Sequence, residues 1–318
     1  MRVVELAGGV GGAKLAHGLA AHLGPDLTVV VNTGDDLERH GLVVWPDHDT
    51  VLYTLAGLDD RERGWGLRDE TWTVMAQLER LGEATWFRLG DRDIATHLLR
   101  TEALHAGRRP TEVALDLQRR FGITPRILPM SDDPVRTVVD TDVGRLEFQE
   151  YFVRLRQGPT VRAVTFVGIE AARPTPEVEA AIAAADLVVL APSNPIVSIG
   201  PILAVPGLRD RLLARRATGL PVVGVSPIVA GRALKGPADR MLASLGHEVS
   251  AAGVATIYRD ILTGFVLDAL DAELAPAIET LGLRVLVTDT IMTDDAARAR
   301  LGEAVLDFGR ALAGHRSP

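Results

Sequence analysis

Cysteine is absent from the 318-residue chain, which excludes disulfides, thiolate metal sites and cysteine nucleophiles. The absence fits a cytoplasmic protein. An excess of positive charge is also missing: the formal balance is −8, which argues against binding nucleic acid by neutralising phosphates. No uninterrupted apolar run approaches the ~20 residues that span a bilayer, so no membrane attachment is expected. Glycines at 8–12 interrupt what would otherwise be a signal-peptide core. The chain has no nucleophile elbow, no His-Glu-x-x-His and no histidine cluster along the sequence, which disfavours acyl-enzyme and zinc chemistry. Internal repeats and low-complexity linkers are lacking as well. What is present is 47% hydrophobic residues, enough for a sizeable core. The expectation is a single α/β domain over 1–318.

The glycines stand out next. "MRVVELAGGVGGAKLAHGLAAH" places Gly8, Gly9, Gly11 and Gly12 between a short apolar run and a helix-like stretch. Such a strand-to-helix turn aims backbone N–H groups and a helix dipole at a phosphate. The dinucleotide fingerprint fails because Lys14 stands where its third glycine belongs, and Ala13-Lys14-Leu15 is not a P-loop. A close-packed turn without ligand is the other reading.

"LTVVVN" reads as a second buried strand, followed by the turn-rich "TGDDLERHG". From about 51 to 125 the pattern becomes helical: "ETWTVMAQLERLG", "DRDIATHLLRTEALHAG" and "PTEVALDLQRRFG" carry apolar residues at three- and four-residue spacing. Asp91 is placed to cap the second of these, and Pro110 to open the third. "VRTVVDTDVGRLEFQEYFVRL" predicts a β-hairpin turning at Asp142-Val143-Gly144. "AVTFVGIE", "DLVVLAPSNP", "LPVVGVSPIV" and "RVLVTDTIM" then read as buried strands separated by helices. This alternation predicts a doubly wound, mainly parallel Rossmann-like sheet with a helical insertion and a hairpin.

Three polar stretches carry candidate chemistry. "WPDHDTVLYTLAG" sets Asp47 and Asp49 two apart in a polar break, where two carboxylates in a turn could hold Mg²⁺. Alternatively, Asp49 caps a helix running from Thr50. "LAPSNPIVSIGPIL" offers Ser193 and Asn194 to a nucleotide, or forms an Asx turn for its own sake. "LKGPADRM" offers Lys235 and Gly236 to phosphate. Arg88, Asp91, Arg92 and Asp93 could form no more than exposed ion pairs.

Taken in order and spacing, "LAGGVGGAKL", "VVNTGDD", "PDHDTVLYTLAG", "GWGLRDET", "LGDRDIATH", "LPMSDDP", "APSNPIVSIGPIL" and "KGPADRM" resemble the phospholactate transferase family of deazaflavin coenzyme F-420 biosynthesis. The resemblance runs over nearly the whole chain. It implies transfer of a phospho-three-carbon acid, 2-phospho-L-lactate or phosphoenolpyruvate, from a guanosine diphosphate-linked donor. The acceptor is the ribityl hydroxyl of 7,8-didemethyl-8-hydroxy-5-deazariboflavin (Fo), GMP leaves, and Mg²⁺ is required. The resemblance further implies a homodimer and Fo contacts at Asp49, Thr50 and Arg88; with Mg²⁺ required, the two close carboxylates Asp47 and Asp49 are the expected catalytic and metal-holding residues. Gly9, Gly11, Gly12, Lys14, Ser193, Asn194, Lys235 and Gly236 fall on its nucleotide side. His48 departs from the apolar residue frequent in relatives, and "GWGLRDETW" is most similar to the bacterial, phosphoenolpyruvate-using branch. The competing reading is a nucleotide-binding regulator of the gluconeogenesis-factor type, which shares the glycine-rich start.

Overall fold

Seven short runs of mostly branched aliphatic residues line up as one parallel sheet in the computed structural model, which describes residues 1–314. They are β1 (Val3–Ala7), β2 (Leu27–Val31), β3 (Arg126–Pro129), β4 (Leu187–Leu190), β5 (Val222–Val225), β6 (Gly264–Asp268) and β7 (Arg284–Thr288). Their order across the sheet is β7-β6-β5-β4-β1-β2-β3. β1 pairs in parallel with β2 on one side and β4 on the other, so strand order reverses there. Every residue of β1, β2, β4, β5 and β6 is buried, because helices cover both faces. β7 lies at an edge and is half-exposed.

Two apolar cores sit on opposite faces of the sheet. Leu6, Val30 and Val188 point into one; Val3, Val29 and Val189 into the other, against Leu15 and Leu19 of α1 (Gly9–Leu23). The C-terminal helix Asp295–Gly314 adds Leu301 and Val305 to the second core. Among the described residues no helix is long and apolar enough to cross a membrane.

Between β2 and β3 the chain inserts α2 (Pro46–Leu55), α3 (Thr73–Arg80), α4 (Asp91–His105) and α5 (Pro110–Arg120). Helix α2 starts at Pro46, ahead of the expected boundary, so Asp47 and Asp49 lie in its first turn. Pro110 opens α5 as expected. Asp91 does not cap its own helix. Its carboxylate accepts from the Thr73 and Val74 N–H groups at 2.9 and 3.0 Å and so caps α3. Glu70, ahead of α3, returns the service by accepting from the Arg92 and Asp93 N–H groups, both at 2.8 Å, at the start of α4.

The hairpin forms between Arg136–Thr141 and Gly144–Glu147, turning at Asp142-Val143. Val161–Val167, expected in the buried sheet, instead pairs antiparallel with this hairpin. Beyond a bulge at Arg162 its side chains alternate, Val164 and Phe166 half-buried and Ala163, Thr165 and Val167 exposed, as a one-faced strand requires. Strands β3 and β6 escaped the sequence pattern: one ends in Pro129 and the other opens on Gly264, both of which read as loop.

Candidate active site at the carboxyl edge of the sheet

Ligands of open α/β sheets bind where strand order reverses, at the carboxyl ends of the strands. Here β1 runs into α1 through Gly8 and Gly9, the latter at φ +61°. Ser193, in the loop after β4, accepts from the Gly8 N–H at 3.2 Å and donates to the Gly8 carbonyl at 2.7 Å. A side chain at Gly11 would meet the Pro192 carbonyl, and one at Gly12 would meet Ala7 and Ser193. These two glycines therefore bare the backbone to the neighbouring loop, and close packing explains them without a ligand. Asn194 folds onto its own turn, accepting from the Ile196 N–H at 2.9 Å, while its amide faces the Met241 sulfur at 3.6 Å. This is the Asx alternative.

Asp47 reaches the start of α1. It accepts from the Asn32 amide at 2.9 Å and from the Gly9 N–H, in the position where a helix dipole favours an anion. Burial, acting against those hydrogen bonds, pushes it up to about 6. Asp35 and Asp36 come from the loop after β2. Burial, reinforced by the charge of Asp47, holds the Asp35 carboxyl well above the usual range. Burial does the same to Asp36 despite Arg136 and Arg100. One oxygen of each, Asp35 Oδ1 and Asp36 Oδ1, is buried with no hydrogen-bond partner. Acids in this condition are short of positive charge, which is what a hard divalent cation supplies. Neither residue was singled out in the sequence, where "NTGDD" read as a turn; its position directly after a buried strand was the available signal.

Asp49 belongs to a different environment. Burial alone would raise its carboxyl, but the Arg100 guanidinium, a hydrogen bond from His48 and the nearby His97 hold it far below the usual range. Arg100 is fully buried, lies 4.4 Å from the Trp45 ring centroid, and contacts His97 at 3.0 Å. Asp93, for which an exposed ion pair is one reading of the sequence, is buried beside them and accepts from the Tyr53 phenol at 2.5 Å. Asp49, Asp93 and His97 are the one trio of described residues whose ligand atoms converge closely enough for a metal. Its carboxylates are already engaged by Arg100 and Tyr53, and a guanidinium there would repel a cation. The paired role expected for Asp47 and Asp49 at one metal does not match this geometry.

A cleft opens between α1, α2 and the loop 59–66, lined among others by Val10, Lys14, Thr50, Trp65, Lys235 and Arg298. The chain has only two lysines, and both are here. Lys14 donates to the Met292 carbonyl at 2.9 Å; burial, then the charges of Arg298 and Lys235, lower its pKa. The Lys235 ammonium occupies the space beside Gly64, and Gly236 next to it is open. Asp59, on the same cleft wall and 3.9 Å from Arg298, offsets part of this repulsion, and a bound anion would relieve the rest. Thr50 sits on the cleft wall with its hydroxyl donated to the Pro46 carbonyl at 2.7 Å. Arg88 lies outside the cleft, exposed and stacked 4.4 Å from the Trp72 centroid.

A Rossmann-like sheet with buried acids and a cationic cleft at its switch point defines an α/β protein built to handle anionic ligands. Residues 3–290 match the family model described as 2-phospho-L-lactate transferase CofD. The chain belongs to that family and is a transferase. It is 45% identical over 314 residues to a phosphoenolpyruvate transferase of Kitasatospora aureofaciens, covering 96% of this chain and 97% of the relative. A phosphoenolpyruvate transferase of Mycobacterium avium is 42% identical over 335 residues, covering 97% and 98%. Among solved structures, a UPF0052-family protein of Bacillus halodurans superposes with a TM-score of 0.65 over 96% of this chain and 98% of that one. At 14% identity that likeness concerns the fold alone.

Proposed function

We propose that this transferase moves the phosphoenolpyruvyl group from a guanosine diphosphate-linked donor to the ribityl hydroxyl of Fo, releasing GMP, in coenzyme F-420 biosynthesis. The observation that carries the reading is near-full-length similarity, at 42–45% identity, to relatives named phosphoenolpyruvate transferase. Phosphoenolpyruvate is therefore preferred to phospholactate as the acid on the donor. The acceptor oxygen forms a bond to the phosphorus that carries the acid as the bond from that phosphorus to GMP breaks; GMP takes the bonding pair, and the hydroxyl proton passes to water. Such a step needs positioning and charge neutralisation more than a covalent nucleophile.

Asp35 and Asp47 are the residues that would hold Mg²⁺, since one or two carboxylates and substrate phosphates suffice for that ion. When bound, the ion supplies charge neutralisation at the donor's phosphates. Lys14 and Lys235, with Arg298 behind them, hold the remaining anionic oxygens. Thr50, on the same wall, is the residue this proposal sets against the acceptor. The working form in this proposal is a cytoplasmic homodimer. The test incubates purified protein with Fo, Mg²⁺ and each guanosine-linked three-carbon acid, reading products by mass. A phosphodiester from the enolpyruvyl donor supports the reading. Nucleotide binding without Fo binding or turnover would instead favour a regulator.

A further inference from the structure

Trp65 is an aromatic residue that the apolar cores do not explain. It is 40% exposed and belongs to none of the apolar clusters among the described residues, yet it lines the cationic cleft. Its neighbour Trp72 differs, packing against the small core of Leu37, Val44, Met75 and Leu89. The two rings meet edge to face, with centroids 6.0 Å apart. Arg63 lies against both, its guanidinium carbon 5.2 Å from the Trp65 centroid and 4.8 Å from that of Trp72. Asp60 holds Arg63 in place through an ion pair. Arg88 then covers Trp72 at 4.4 Å. The result is a ladder of alternating cations and rings, anchored at Trp72, which carries Trp65 into the cleft that holds both lysines.

Resting on the proposed reaction, we infer that Trp65 is the stacking platform for the planar ring system of the acceptor, with Arg63 and Trp72 as the residues that position it. Exposed indole in a cleft loses apolar hydration when a flat heterocycle covers it, and such contacts tolerate different ring chemistry. Placement supplies the second argument. A ring resting on Trp65 lies in the same cleft as Lys14 and Lys235, so its hydroxyl-bearing side chain is presented to the donor's phosphorus. Attack on phosphorus requires that adjacency. The alternative, that the ladder only stiffens loop 59–66, predicts no selective effect on the acceptor.

The experiment compares wild type, Trp65→Ala and Trp65→Phe by steady-state kinetics and by separate equilibrium titrations with Fo, with GDP and with ribitol, which lacks the ring. Trp65→Ala should raise KM and Kd for Fo by at least about tenfold, the scale of one lost stacking contact. Its affinity for GDP should stay within about twofold, and Trp65→Phe should recover most of the loss. Unchanged Fo affinity in Trp65→Ala, with wild type binding Fo, would overturn the platform while leaving the proposed reaction intact. Parallel loss of Fo and GDP affinity would overturn it too, as a collapse of the cleft. Wild type that binds Fo no better than ribitol would remove the acceptor reading itself, and the platform with it.

Discussion

Asp47 and Asp49 stand two residues apart on one helix and live in opposite electrostatic worlds. Asp47 faces the start of α1 with no basic side chain bonded to it, and burial pushes it up to about 6. Asp49 faces α4, where Arg100 outweighs burial and holds it far down. In a turn, two such carboxylates could share one cation. In an α-helix successive residues advance by about 100°, so positions two apart point to opposite sides. The first turn of α2 thereby separates a structural acid, already paired, from an acid that still lacks its counter-charge.

Removing one side of the paired acid gives the largest expected effect. Arg100→Met should destabilise the fold by ~3–5 kcal/mol, because it strands a buried Asp49 charge. Denaturant melts of this variant, of Asp49→Asn and of the double variant check it; the double should cost less than the sum of the singles. Equal, additive losses would mean that the pair is not a pair. On the other side of the helix, Asp47→Asn should lower turnover at least ~100-fold, or ~2.7 kcal/mol of transition-state stabilisation. Millimolar Mg²⁺ should raise the melting temperature of wild type, and Asp47→Asn should abolish that rise. A wild type that melts identically with Mg²⁺ and with chelator would refute the cation assignment.

Lys235→Ala should have a smaller effect, weakening GDP roughly tenfold while Fo still binds, since Lys235 is an exposed charge at the cleft. Separate titrations of the two ligands read it. The smallest effect concerns a third acid with no partner at all. Glu5, in the centre of β1, is fully buried with neither oxygen hydrogen-bonded, and burial holds its carboxyl well above 4.5. The folded state then binds a proton that the unfolded state has released, so the favourable contribution is complete below pH 4.5 and is lost as pH rises through the folded value. Glu5→Gln should match wild type near pH 4.5 and exceed its melting temperature by about 2 °C or more at pH 8. A constant difference across that range would count against the assignment.

Sequence reading recovers this fold wherever burial writes itself as continuous apolar runs, as in Val3–Ala7 and Leu187–Leu190. It fails at Val161–Val167, because an apolar run alone does not say which sheet a strand joins. At the site, Asp47, Lys14, Thr50 and Lys235 were legible as residue types beside turns, and the structure brings the last three to one cleft. Asp35 and Asp36 were not, since their significance lies in being buried without partners, which spacing does not encode. Arg100 was hidden for the converse reason: on a helix an arginine reads as solvated, and only tertiary packing against Trp45 makes it a core residue. Gly11 and Gly12 invited a ligand explanation because sequence does not reveal that Pro192 and Ser193 press against them.

The exchanged caps at the starts of α3 and α4 tie the local unfolding of the two helices together. Glu70 secures the first N–H groups of α4 and Asp91 those of α3, while Gly90 leaves room for the Glu70 carboxyl between them. Neither helix can fray at its amino end without releasing an acid that the other needs. Hydrogen exchange should accordingly find the first-turn amides of both helices opening with one shared free energy, as a single local unfolding unit. Replacing Asp91 by alanine should speed exchange at the start of α3 and also at the start of α4, the helix on which it sits but does not cap.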